Sequence, residues 1–164
     1  MSGIKTLFRT QVTDTWTTVT DGDNLGDIRW ESNKCYKVVK FNNGVDNIAS
    51  LAGYVAMYYA VSGSASATTG YLSSIVTMDR TDSSNIGAGI FQVAVTDGDH
   101  CWLQIKGQAT LNTTSLPSGS DGNAMTTNGS AADGALIIPN AHGEEICAVI
   151  DDASLFQIIC DFRF

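Results

Sequence analysis

Apolar residues occur along this chain in short runs, most of them alternating with polar residues and separated by polar turns. In Cys35–Phe41, Tyr36, Val38 and Lys40 fall on one face and Cys35, Lys37, Val39 and Phe41 on the other, which predicts a strand. Asn42-Asn43-Gly44 then reads as a turn. Residues 46–53 are the best helix candidate: Asp46 or Asn47 can N-cap it, and Ile48, Leu51 and Ala52 recur at helical spacing. From Tyr54 to Val61 the spacing returns to period two, which predicts a strand; the competing expectation is one helix through Ala60. Ser62–Gly70 contains only small polar and small apolar residues and reads as a loop, Tyr71–Met78 as a strand and Asp79–Asn85 as a second loop.

The sharpest local signal lies further on. Ile90–Val95 and Cys101–Ile105 flank Thr96-Asp97-Gly98-Asp99, a turn whose Asp-Gly step suits a hairpin. Gly107 is expected to break the returning strand, with Ala109–Leu111 pairing beyond it. After Ser115 turn signals dominate, and Leu136–Ile138, Ile146–Ile150 and Leu155–Phe162 read as strands. Pro117 and Pro139 sit at segment edges. The repeated Val-Thr-Asp-Gly-Asp at 19–23 and 95–99 reads as two similar turns, since the flanking residues do not match. Together these predict a mainly β fold, an antiparallel β-barrel or sandwich with one short helix at about residues 46–53. Residues 1–25, rich in Thr and poor in apolar side chains, are expected to be an N-terminal arm or edge strand, and 26–164 a single β domain.

Composition sharpens this picture. A chain of 164 residues favours one domain and can bury a core without staples. Charged residues make up 16%, below the usual value of about 25%, and Ser, Thr, Asn and Gly fill the gap. The net charge is -8, with 17 acidic and 9 basic residues. That balance argues against nucleic acid and anionic membranes as partners, because both need a basic footprint. The N-terminus shows no apolar leader, which predicts a product made in the cytoplasm. Cys35, Cys101, Cys147 and Cys160 each lie in or beside an apolar run and read as reduced core residues.

Candidate chemistry is sparse. A zinc site from His100, Cys101, His142 and Cys147 is disfavoured, because adjacent strand residues point to opposite faces. Asp21, Asp23 and Asp27 resemble the start of a calcium loop, but Leu25 and Ser32 then occupy ligand positions. No nucleophile elbow or dinucleotide loop is present, and no catalytic, cofactor or metal residue is assigned. Phe8 and Trp16 are the large anchors of the arm, and a chain ending Phe162-Arg163-Phe164 is expected to dock that end on its own sheet or on a neighbour.

The runs Asp27–Glu31 and Asn85–Leu111, and the ending Ile159–Phe162, resemble head decoration (cement) proteins of tailed bacteriophages. The resemblance spans roughly 27–164 and is most specific over 85–111. It implies a non-enzymatic virion protein without cofactors, bound to the outer capsid surface of the expanded head and stabilising contacts between major capsid proteins, commonly as a homotrimer. Phe8, Trp16, Trp30, Phe162 and Phe164 are the expected subunit or capsid contacts. The alternative is a receptor- or carbohydrate-binding β module of a virion, with Trp16 or Trp30 as its platform.

Overall fold

The computed structural model describes residues 8–18, 20–60, 73–116, 119–127, 132–139 and 145–162. Among these residues ten strands are formed: β1 (Thr15–Trp16), β2 (Ile28–Glu31), β3 (Lys34–Phe41), β4 (Val55–Tyr59), β5 (Ile75–Thr77), β6 (Ser83–Phe91), β7 (His100–Thr110), β8 (Ala124–Met125), β9 (Ala148–Asp152) and β10 (Gln157–Asp161). A 3-10 turn, Ala153–Leu155, joins the last two. The fold is mainly β, as the alternation predicts.

Five strands close on themselves. β3 pairs with β7, β7 with β6, β6 with β4 and β4 with β5, all antiparallel. β5 then returns to β3 in parallel, through Lys40↔Ile75 and Phe41↔Val76. This corrects the expectation of a purely antiparallel barrel: a ring with an odd number of strands cannot alternate direction all the way round. Inside the ring, Cys35, Val39 and Phe41 of β3 meet Cys101, Leu103 and Ile105 of β7, with Tyr58, Val76 and Phe91 from the other three strands. Tyr36 and Val38 of β3 and Trp102 of β7 take the opposite phase and point outward.

β7 organises the rest. One edge carries β3. The other carries β1 at Cys101 and His100, β6 at Gln104 and Leu103, and β10 from Thr110 to Lys106. β9 and β8 continue outward from β10. Phe162 then donates its N–H to Ile105 O (2.9 Å) and is fully buried. A Cβ at Gly87 would lie 2.8 Å from the Phe162 ring, so the bare backbone there makes room for it.

Several local expectations are overturned. Residues 46–53 form no helix. Asn47 has φ +55° and Gly53 φ +78°, both left-handed, and Asp46 N–H is taken by Asp79 Oδ2 (3.1 Å). Ser50 Oγ donates to Val95 O and accepts from Val95 N–H, so it replaces a ladder partner and ends β6 at Phe91 rather than Val95. The hairpin connection is therefore eight residues, 92–99, and its Asp-Gly turn docks on the end of β3 through Phe41 and Asn43. Gly107 does not break β7. With φ +92° it bends the strand beside a bulge, where Cys35 pairs Lys106 but Tyr36 pairs Gln104. A Cβ there would lie 2.5 Å from Asn33 O. The strand expected at Tyr71–Met78 is Ile75–Thr77, with 71 and 72 outside the described residues. The loop expected at 79–85 already enters β6 at Ser83. Leu136–Ile138 contributes one bridge, Ile137↔Thr126. The expected loop at 62–70 lies outside the described residues.

Candidate functional site

Two outer sheet faces carry aromatic or apolar side chains beyond the barrel. The first is the outer face of β3 and β7. Trp102 is fully buried there although it points away from the ring, because Phe8, Val12 and Trp16 cover it. Phe8 meets Trp102 edge-on at 5.4 Å between ring centres, and Trp16 lies at 6.5 Å. His100 stacks on Trp16 at 6.0 Å, with Nδ1 3.2 Å from Trp16 O.

Polar bonds fasten this cover. The Asp23 carboxylate accepts from Arg9 N–H (2.9 Å), Thr10 N–H (3.0 Å) and Thr10 Oγ1 (2.5 Å). Trp102 Nε1 donates to that same Thr10 oxygen (2.8 Å). Arg29 Nη1 donates to Thr10 O (2.8 Å), and its guanidinium lies 5.3 Å from the Phe8 ring centre and 5.9 Å from that of Trp102. Burial pushes the Asp23 carboxyl up, but the bonds from Thr10 and Arg9, with the Arg29 charge, outweigh it and hold the pKa below the usual carboxylate range.

The second area is the outer face of β10 and β9. Ile159 stands directly opposite Val149, and Val149 opposite Ala124. Ile159 is 52% exposed and Val149 38%. Their neighbours on this face are Gln108, Gln157, Asp151 and Asp161. Gln108 Nε2 donates to Asp151 Oδ2 (2.6 Å), and Lys106 pairs with Asp161. Exposed Leu155 lies just beyond, in the 3-10 turn capped by Asp152.

The sequence-derived contact residues separate clearly. Phe8 and Trp16 lie in the first area, packed on their own chain, and Phe162 is buried in the main core. Trp30, on β2, is 61% exposed. Phe164 lies outside the described residues. Burial leaves Trp16 without a platform for a sugar. The strip Val149–Ile159 was missed, although the sequence holds its signal: Val149-Ile150 and Ile158-Ile159 are adjacent apolar pairs, so in a strand one member of each must face outward.

Several groups with catalytic chemistry are engaged in packing or in local hydrogen bonds. Burial raises the thiol pKa of Cys35 and Cys101, and pushes Cys147 and Cys160 up to about 12, so all four remain protonated. Lys37 shares the inward phase of β3, with Nζ 3.2 Å from Tyr58 Oη, and burial lowers its pKa. Asp79 accepts from Asp46 N–H, Thr81 N–H and Thr81 Oγ1, which ties residues 79–82 to the turn after β3. In the calcium-like stretch, Asp23 serves the arm, Asp27 Oδ2 accepts from Asn24 N–H and Asp21 Oδ2 from Thr18 Oγ1. His142 lies outside the described residues. Among the described residues no three metal-ligating side chains cluster, and no helix is long and apolar enough to cross a membrane. Compared with known protein families, known proteins and solved structures, the chain matches none.

Proposed function

We propose that this chain is a non-enzymatic decoration protein of a tailed-phage head. It binds the outer surface of the expanded shell, as a homotrimer, and stabilises contacts between major capsid proteins. The resemblance is the source of this assignment, and its most specific stretch, 85–111, forms β6 and β7. The observation that carries it further is the exposed pair Ile159 and Val149, on a sheet face framed by Gln108, Gln157, Asp151 and Asp161. An exposed sheet face suits a protein surface better than a small molecule, which needs a concavity. Many such contacts on a shell add through multivalency.

Co-sedimentation with expanded, undecorated heads tests the proposal. The wild-type chain is expected to pellet with the heads, and Ile159→Lys to remain in the supernatant while melting as cooperatively as wild type. Failure of the wild-type chain to bind heads, or equal binding by the variant, overturns it. Binding of the wild-type chain on a glycan array in place of heads would favour the receptor-binding alternative.

A further inference from the structure

β2 is the end strand of the sheet, opposite β8. Its pairing with β3 begins where Val38 N–H bonds to Asp27 O, and the ladder pairs Arg29 with Tyr36 and Glu31 with Lys34. Bonding alternates along an antiparallel pair. The backbone groups of residues 27, 29 and 31 therefore serve β3, and those of Ile28 and Trp30 point to the outer edge. Exposed edges are normally blunted by charge, proline or a bulge. Here the residue at the centre of the edge is Trp30, the most exposed aromatic among the described residues.

The charges beside it are self-complementary. Arg29 and Glu31 flank Trp30 and share the other face of the strand. In an antiparallel pair of two β2 strands centred on Trp30, residue numbers in register sum to a constant. Trp30 then faces Trp30 of the second copy, Arg29 faces Glu31, and Glu31 faces Arg29. Both cross-copy charge pairs are attractive, and they join the Arg29–Glu31 pair already formed within one chain. Trp30 N–H and C=O exchange two hydrogen bonds across the two-fold axis, and the indoles come side by side at about 5.5 Å between Cα atoms. No other register of two β2 strands places both charge pairs and the Trp pair together.

We propose that β2 is a two-fold self-pairing edge that joins a second copy of this chain through Trp30, Arg29 and Glu31. This goes beyond head binding and does not depend on it. If the chain does form trimers on a head, the edge would join one trimer to the next, since a two-fold contact lies outside a three-fold one.

Sedimentation equilibrium of the full chain tests the pairing in the absence of heads. The wild-type chain is expected to gain mass with concentration. Trp30→Lys and Glu31→Arg are each expected to weaken that association by about tenfold or more, as loss of a central aromatic pair or two like-charge contacts implies. An equimolar mixture of the Glu31→Arg chain with the Arg29→Glu chain is expected to recover it, because all cross-copy pairs become attractive again. Arg29 also holds the arm, so near-ultraviolet circular dichroism checks the folding of that chain. If it is misfolded, the Trp30→Lys and Glu31→Arg results decide alone. No concentration-dependent mass in the wild type, association unchanged in those two variants, or no recovery by a folded mixture overturns the proposal. A chain that self-pairs but ignores heads would leave this inference standing and remove the decoration assignment.

Discussion

The outer face of β3 and β7 and the outer face of β9 and β10 are both apolar, yet they are finished differently. Trp102, Tyr36 and Val38 are sealed under Phe8, Val12 and Trp16, and Asp23 and Arg29 lock the seal with directed bonds. Ile159 and Val149 are left to solvent. The covered face offers a large indole whose N–H also needs a partner, and Thr10 Oγ1 supplies it. The open face offers only two branched side chains among amides and carboxylates, small enough to remain in water without cost to solubility. These two apolar faces thus divide into one that packs on its own chain and one that is left to solvent.

Mutations should separate the two faces by magnitude. Trp102→Ala, which empties a fully buried site, is expected to lose about 3–5 kcal/mol in denaturant unfolding. If it loses under 1 kcal/mol, the covered face is not a structural core. Removing residues 1–25 uncovers the same indole, so lowered thermal stability and new binding of a hydrophobic dye are expected along with any change in head binding. Asp23→Ala leaves the N–H groups of Arg9 and Thr10 without their acceptor and is expected to cost about 1–3 kcal/mol. Acid should reproduce part of that loss. Asp23 and Asp79 both have pKa values held below 3.8, so their contribution is complete above that value and disappears as pH falls through the folded-state pKa. An acid titration followed by tryptophan fluorescence is expected to show the arm loosening below about pH 4, with the Asp23→Ala chain showing less of the change. Ile159→Lys on the open face is expected to stay within about 0.5 kcal/mol of wild type. A larger loss would mean that this face, too, supports the fold.

The strands were legible where one periodicity dominated. Cys35–Phe41 and Cys101–Ile105 lie within β3 and β7, and the four cysteines are buried as their apolar neighbours implied. Residues 46–53 show how a local pattern misleads. Ile48, Leu51 and Ala52 have helical spacing, but the backbone there answers to Asp79 and Val95, 33 and 45 residues away. The ring itself was not legible, because its closing pair, Lys40↔Ile75, is a parallel contact of two residues with no local signature. In the surface areas, Trp16 and Trp30 looked alike as lone aromatics in polar stretches. They part because Trp16 pairs with His100 across β7, whereas Trp30 sits on the last strand of the sheet. The value of Arg29-Trp30-Glu31 emerges only once that strand is known to be the last of the sheet among the described residues.

The shared edge of β7 also sets the order in which this chain can fold. β1, β6 and β10 occupy successive stretches of one strand, yet they come from residues 15–16, 83–91 and 157–161. During synthesis the first partner waits for about 85 residues to be added before its site exists, and Lys106–Thr110 of β7 stay unpaired on that edge until residues 157–161 have been added. Long-range pairing of this sort slows folding and leaves strand edges exposed in the interim. Refolding from denaturant should accordingly be slow for a chain of this size, and shortening the chain before Gln157 should yield a species that aggregates through the open half of β7.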